Sequence, residues 1–238
     1  MNNITQLISI IIPVFNEGES IAYLLDEVLN VMQNNKLNCE LIVVNDGSND
    51  NTSTVLDELT IKIKELSVIS LRKNYGQTAA MAAGFDNSKG EIVITLDGDL
   101  QNDPNDIPKL ISHINEGYDL ICGWRYERKD KLINRRIPSK IANKLIANVT
   151  GLKLHDYGCS LKAFKKEIVD DIKLYGELHR FLPVLANIEG AKIKEIKVNH
   201  RSRKYGSSKY GIDRTFRVLM DLLTVWFMTK FLTRPMYG

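Results

Sequence analysis

Two carboxylates one residue apart, Asp97 and Asp99, close the apolar run Ile92-Val93-Ile94-Thr95-Leu96, and a third acid, Asp103, follows shortly. At the end of an extended strand, residues two apart project to the same side. Gly98 between them lets a ligand approach the backbone. Gln101 adds an amide oxygen if the chain stays extended. Such an all-oxygen set suits Mg²⁺ or Mn²⁺, which takes one or two carboxylates and completes its shell with phosphates and water. A cation held there would neutralise a diphosphate leaving group as its charge develops. The plainer alternative is a solvated Asp-Gly turn. Against it stands the buried character of the strand that delivers the acids.

Three further strand-like runs end in polar groups: Asn16-Glu17-Gly18, Asn45-Asp46-Gly47-Ser48 and Lys73-Asn74-Tyr75-Gly76. Strands are expected over Leu7–Val14, Glu40–Asn45, Ser67–Leu71 and Glu91–Leu96, because each is a short apolar run rich in Ile, Val and Leu. Helices are expected over Ser20–Met32, Asn51–Lys64 and Thr78–Ser88 from their apolar spacing and N-terminal polar caps. This βαβαβαβ order predicts an α/β fold with a mostly parallel sheet and helices on both faces. Ligands of such sheets bind beyond the carboxyl ends of the strands, so the four polar ends should share one rim. Further on come a helix (Ile107–Asn115), a strand (Asp119–Gly123) and a basic helical stretch (Leu132–Val149). A strand (Leu161–Phe164), a helix (Arg180–Glu189), a strand (Ala191–Asn199) and a Gly/Ser/basic loop (His200–Gly211) follow. A strongly apolar helix (Thr215–Leu232) is the last element expected.

The 238 residues, 44% of them hydrophobic, can bury a full core. A net charge of +3 does not by itself imply nucleic acid, and no nucleic-acid partner is expected. Cations concentrate in Arg125–Lys144 and Arg201–Arg217, which suggests a face turned toward phosphate or lipid headgroups. Cys39, Cys122 and Cys159 lie far apart and read as buried free thiols. No GxGxxG follows the first strand and no GxxxxGK[ST] occurs, which removes the dinucleotide and P-loop readings. His113, His155, His179 and His200 are scattered, which argues against zinc. The chain enters a strand almost at once, so no signal peptide is expected. No uninterrupted apolar run reaches the length of a bilayer span.

The stretches SIIIPVFNEGESI, LIVVNDGSNDNT, RKNYGQTAAMAAGF, LDGDLQNDP and RKYGSSKYG together resemble the family-2 glycosyltransferases of GT-A, Rossmann-like fold. The likeness is nearest to the polyisoprenyl-phosphate glycosyltransferases, a subgroup that includes dolichyl-phosphate mannose synthase and bacterial undecaprenyl-phosphate sugar transferases. The resemblance implies a nucleotide-sugar donor, UDP- or GDP-linked, and a polyprenyl phosphate acceptor. By the same resemblance Pro13, Phe15, Asn16 and Glu17 cradle the base and ribose, Asp46 meets the base, and Gly76 and Gln77 belong to a nearby nucleotide loop. Asp97, Asp99 and Gln101 match the metal ligands, Mg²⁺ or Mn²⁺. Asp97 and Gly98 lie against the donor. Arg203 and Lys209 match cations on the donor diphosphate, in a loop able to fold over the site. Arg125, Arg135 and Ser139 match the acceptor-phosphate positions, although Trp124 stands where the family more often has a small residue. Asp156 matches a catalytic base. A lipid monophosphate is already largely anionic at neutral pH, with a second ionisation near about pH 6, so a role for Asp156 in orienting the acceptor is equally open.

The division expected is a catalytic domain over 1–211 and an amphipathic helix over 212–238. Arg217, Asp221 and Lys230 interrupt that helix, so it suits the headgroup plane rather than a span; core packing is the alternative. Relatives of this type continue past FLTRP into transmembrane helices, which suggests either a truncated form or a natural short form like the single-domain relatives, placed at the cytoplasmic face of the membrane; a truncated form is expected to self-associate into a homo-oligomer through this helix. Two other functions fit less of the sequence: a family-2 transferase acting on a saccharide or protein, and a non-catalytic nucleotide-sugar binder.

Overall fold

A computed structural model describes residues 6–126, 146–148, 150–204, 224, 226 and 227. The elements are β1 (Leu7–Val14), α1 (Ile21–Asn34), β2 (Asn38–Asn45), α2 (Thr52–Lys62), β3 (Leu66–Ser70), α3 (Gln77–Asn87) and β4 (Ile92–Thr95). Then come a 3-10 turn (Pro104–Asp106), α4 (Ile107–Asn115), β5 (Leu120–Arg125), β6 (Lys162–Lys165) and α5 (Lys166–Asp171). A second 3-10 turn (Leu178–Phe181), α6 (Leu182–Ile188) and β7 (Ile193–Val198) complete them. The sheet order is β3-β2-β1-β4-β6-β5-β7. All pairings are parallel except those of β6 with β4 and with β5.

Alternation along β1 explains the two layers. Ile8, Ile10 and Ile12 face a core shared with α1 and α4, through Leu24, Leu25, Val28, Leu110 and Ile111. Ile11 faces the opposite core, built on α3, α5 and α6 through Met81, Phe85, Val169 and Leu185. Gly84 makes that second contact close, since a Cβ there would stand 2.3 Å from the Ile11 side chain. All three cysteines are free and buried. Burial pushes the Cys39 thiol up to about 11 and the Cys122 thiol up to about 12, so both stay protonated at neutral pH.

One expectation is corrected and two features were not expected. The segment expected as one helix, Arg180–Glu189, is a 3-10 turn followed by α6, because Pro183 sits in the first turn and lacks the N–H of an interior position. The short helix α5 was not expected; its six residues are too few for a periodic signal. The antiparallel direction of β6 was not foreseen either. The chain leaves β5 and re-enters β6 at the same rim, so β6 must run backwards between two strands that run forwards.

Two consequences position the site. After β3 the chain crosses to the other side of β1 to form β4, so the topological switch lies between β1 and β4. Because β6 is reversed, the residues before it, Asp156 to Leu161, lie at the carboxyl rim of β4 and β5.

Candidate active site

At the switch, the turns after β1 and β4 are joined by one hydroxyl. Ser20 Oγ lies 2.8 Å from the Gly98 carbonyl oxygen and 2.9 Å from the Glu17 carboxylate, within reach of either for its one hydroxyl proton. Gly98 admits this closeness, since a Cβ there would lie 2.7 Å from Val14 Cγ1. Asn16 adopts φ 53°, a left-handed conformation that Asn tolerates. Its side chain accepts from the Asn49 N–H at 2.7 Å, while its own N–H donates to Ser48 Oγ at 2.9 Å. The Glu17 N–H donates to Thr52 Oγ1 at 2.9 Å. The Pro13–Glu17 stretch is thus tied to the turn after β2.

Asp97 and Asp99 stand at the end of β4 as the residue pattern requires. The Gln77 amide donates to Asp97 Oδ1 at 2.8 Å. Burial and the charge of Asp99 push the Asp97 carboxyl up to about 6, against the pull of Ser160, Arg125 and Lys162. Asp99 is buried and receives the Arg203 guanidinium, an ion pair that brings the loop after β7 onto the acidic turn. Lys162, buried on β6, donates to the Cys159 carbonyl and acts on Asp97 through its charge. The corner therefore holds three acids, Asp97, Asp99 and Asp156, against three cations, Arg125, Lys162 and Arg203. The Asp97 carboxyl, its proton affinity raised by burial and by the neighbouring Asp99 charge, and the Asp99 carboxylate, onto which a guanidinium is drawn, form an oxygen set that fits a divalent cation. Among the described residues no group of three or more His, Cys, Asp or Glu could hold a metal, so such a cation would depend on further oxygens from Gln101 or a phosphate.

The loop after β7 is sewn to this turn. The Arg201 N–H donates to the Gln101 carbonyl at 2.8 Å, and Asn102 forms an antiparallel bridge with His200. The Gln101 amide nitrogen reaches the Arg201 carbonyl at 3.4 Å. Arg201 itself pairs with Glu27 at 2.6 Å and Asp103 at 2.8 Å. The Asn102 amide donates to Ser160 Oγ at 2.7 Å, which connects the segment before β6 as well.

On the β2 side, the buried Asp46 carboxylate accepts the Tyr75 N–H at 2.7 Å and the Gly76 N–H at 2.9 Å. It thereby holds the loop that opens α3 and places Gln77 beside Asp97. Gly47, at φ 66°, lets that loop pass: a Cβ would fall 2.4 Å from the Lys73 backbone.

On the β5 side, Arg125 and Asp156 meet fork to fork, Nε to Oδ2 at 2.7 Å and Nη2 to Oδ1 at 2.9 Å. The Asp156 pair with its charge raises the already high proton affinity of Arg125. Glu195 on β7 holds the turn from behind, accepting the His155 N–H at 2.9 Å and the Asp156 N–H at 2.8 Å. Trp124 stacks on His155 at 4.1 Å and meets Tyr126 edge-on at 5.0 Å, with the Lys197 ammonium 3.8 Å from the Tyr126 ring centre. A cavity of about 570 Å³ opens beside them, lined among others by Tyr126, Lys197, His200 and Arg201.

The structure brings Pro13, Phe15, Asn16, Glu17, Asp46, Gly76, Gln77, Asp97, Gly98, Asp99, Gln101, Arg125, Asp156 and Arg203 to one rim, at the ends of β1 to β5, in the turn before β6 and in the loop after β7. Arg135, Ser139, Lys209 and all but three residues of 212–238 lie outside the described residues. Sequence reasoning passed over Ser20, Ser160, Lys162 and Glu195. A lysine inside the apolar LKAF run was a legible signal, because a buried cation needs partners. The other three are ordinary polar residues whose roles depend on long-range neighbours.

A family model described as Glycosyl transferase family 2 matches residues 9–173. A dodecaprenyl-phosphate galacturonate synthase of Rhizobium johnstonii is 46% identical over 234 residues, covering 96% of this chain and 69% of that protein. An undecaprenyl-phosphate 4-deoxy-4-formamido-L-arabinose transferase of Proteus mirabilis is 40% identical over 218 residues, 91% of this chain and 67% of that protein. Among solved structures, glucosyl-3-phosphoglycerate synthase of Mycobacterium tuberculosis, crystallised with Mn²⁺ and UDP-glucose, shares the fold with a TM-score of 0.72 at 17% identity, over 95% of this chain and 80% of that one.

Proposed function

We propose that this chain, which belongs to glycosyl transferase family 2, moves a sugar from a nucleoside diphosphate donor to a polyprenyl phosphate. The observation that carries the reading is the likeness to polyprenyl-phosphate sugar transferases across nearly the whole chain, the 46% identity over 96% of it above all. The geometry supports it. An acidic corner suited to a cation and diphosphate adjoins a half-buried arginine fork suited to a phosphate monoester.

Asp97 and Asp99, with Gln101, are the residues that would hold Mg²⁺ or Mn²⁺, which when bound neutralises charge on the departing diphosphate. The protein's own groups do the rest. The turn at Pro13–Glu17 and the loop held by Asp46 bind and orient the nucleotide. Gln77 fixes the Asp97 carboxylate. Arg203, which pairs with Asp99, would turn to the diphosphate together with Lys209 on donor binding. Arg125, with Arg135 and Ser139, holds the acceptor phosphate. An oxygen of that phosphate attacks the anomeric carbon opposite the leaving group, in line, and the configuration inverts.

Among the described residues no helix is long and apolar enough to cross a membrane. The exposed Trp226 and Phe227 fit a 212–238 helix that lies in the headgroup plane at the cytoplasmic face. Incubation with radiolabelled nucleotide-sugars, Mn²⁺ and a polyprenyl phosphate tests the function. Label is expected in an organic-extractable, acid-labile lipid; label confined to water-soluble products defeats the reading.

A further inference from the structure

We propose that Asp156 is a positioning residue that sets the fork of Arg125 against the acceptor phosphate, and that it removes no proton in the reaction. The inference rests on the polyprenyl-phosphate reading above and assigns one residue within it. An ionised carboxylate offers about four lone-pair sites. Among the described residues four protein donors take them up: Arg125 Nε at 2.7 Å, Arg125 Nη2 at 2.9 Å, the Gly158 N–H at 3.2 Å and the Arg125 N–H at 3.3 Å. A general base needs an open lone pair within hydrogen-bond reach of its proton. Here every lone pair is directed at the protein, and the carboxylate is only 5% exposed.

The surroundings hold the pair rather than the substrate. Glu195 from β7 fixes the two N–H groups that precede the carboxylate. Gly158 leaves room for the fork, because a Cβ there would stand 3.3 Å from Arg125 Nη2. Arginine is long and rotamer-rich, so a guanidinium that must meet a phosphate in one orientation gains from being held on one edge. Asp156 grips the Nε–Nη2 edge; Nη1 takes no part in the pair.

The chemistry asks for nothing more. A phosphate monoester dianion attacking a nucleoside diphosphate sugar forms the bond from its oxygen to the anomeric carbon. The bond from that carbon to the β-phosphate oxygen breaks, and its electron pair leaves with the nucleoside diphosphate. Charge is conserved between a phosphodiester monoanion and a nucleoside diphosphate trianion, and no proton is released. Above the acceptor's second ionisation, at about pH 6, a base has nothing to take.

Steady-state transfer of labelled sugar to a polyprenyl phosphate in detergent separates the roles, with Asp156→Asn, Arg125→Met and Arg125→Met/Asp156→Leu beside the wild-type chain. A positioning role predicts that the acceptor KM rises about tenfold to a hundredfold in both single variants, with the donor KM unmoved. The double variant should be no worse than the poorer single, because the two residues act as one unit. The acid limb of kcat/KM for the acceptor should follow the phosphate in every variant. The proposal is overturned if Asp156→Asn loses kcat at an unchanged acceptor KM, if it erases the acid limb, or if its loss multiplies with that of Arg125→Met. Should a single variant fail to fold because one buried charge is left alone, the double variant, which removes both, carries the test through the same KM-against-kcat split. A wild-type chain that labels no polyprenyl phosphate refutes the proposed function, and this assignment falls with it. Lipid labelling with a base-like signature for Asp156 refutes the assignment alone.

Discussion

Gly47→Ala should damage both stability and donor binding, through a loop the substituted residue does not belong to. Gly47 has φ 66°, where a side chain costs about 1–2 kcal/mol. The new Cβ would lie 2.4 Å from the Lys73 carbonyl carbon and 2.7 Å from the Asn74 nitrogen. Those are backbone atoms, so the 73–76 loop must move outward. The move strains the bonds from the Tyr75 and Gly76 N–H groups to the Asp46 carboxylate, 2.7 and 2.9 Å long, and Asp46 is 4% exposed. Losing one hydrogen bond to a buried charged group costs about 1.5–3 kcal/mol. Reduced freedom of the unfolded chain returns about 0.4–1 kcal/mol. The net loss is about 3 kcal/mol, or about 6–12 °C in Tm for a domain of this size. Gly117→Ala is the control. Gly117 also has positive φ, at 95°, but an added Cβ there meets nothing within 4 Å, so only backbone strain remains. Thermal unfolding of both variants, with and without a nucleoside diphosphate sugar, measures the difference. If Gly47→Ala melts no lower than Gly117→Ala and keeps the full donor-induced shift, the loop is not held as described.

Asp97→Asn should stabilise the metal-free protein, and more so at high pH. The folded carboxyl sits at about 6 against an ordinary 3.8, so the native state keeps its proton longer; its penalty is absent below the lower value, grows between the two and is complete above the upper. The gain should approach about 3 kcal/mol at pH 7 and vanish near pH 4, as read by denaturant titration across that range; an equal gain at both ends would contradict the assignment. Arg203→Ala should tighten Mn²⁺ binding in the absence of donor, since it frees Asp99 from a guanidinium, and should weaken donor binding. Electron paramagnetic resonance of free Mn²⁺ reads the first, and a shift of about threefold or more is expected; no shift would separate Arg203 from the cation site. Glu195→Gln should raise the acceptor KM modestly, about threefold, while leaving the donor KM alone, because it loosens only the turn that carries Asp156.

The half of the fold proposed to bind the donor was legible because each element there is long enough to declare its period. The buried strands β1, β2 and β4 are apolar runs ended by polar turns, and a parallel α/β sheet must deliver those ends to one rim. The acidic turn was legible for the same reason: a carboxylate pair is conspicuous at the end of an apolar strand. What the sequence did not reveal was local structure governed by distant partners. The reversal of β6 depends on where the 126–161 segment returns, which no short-range pattern encodes. The resemblance places Asp46 against the nucleotide base, and the bonds its carboxylate accepts from two backbone N–H groups some 30 residues away were not legible in the sequence. Arg125 and Asp156, 31 residues apart, could be named singly as site residues, yet their bidentate pairing depends on β6 running backwards past β5.

That reversal has a further chemical meaning. Were β6 parallel to its neighbours, the Asp156–Leu161 segment would fall at the opposite end of the sheet, and the acidic corner would lose at once Ser160, Lys162 and the carboxylate that holds Arg125. The antiparallel strand sets the turn before β6, which the proposed function assigns to the acceptor, directly against the turn after β4, which it assigns to the donor, with the Asn102–Ser160 and Thr95–Ser160 hydrogen bonds joining them at 2.7 and 2.6 Å. The loop after β7 then closes the third side through Arg201, which bonds to Gln101, Glu27 and Asp103, and through Arg203 on Asp99. A donor that draws Arg203 away from Asp99 must therefore pull on the segment that also backs the acceptor turn from β7. Acceptor affinity measured with and without a bound nucleoside diphosphate should accordingly differ in the wild-type chain, and the difference should shrink in Arg203→Ala. Equal coupling in both would mean that the two halves of the rim, although built side by side, bind independently.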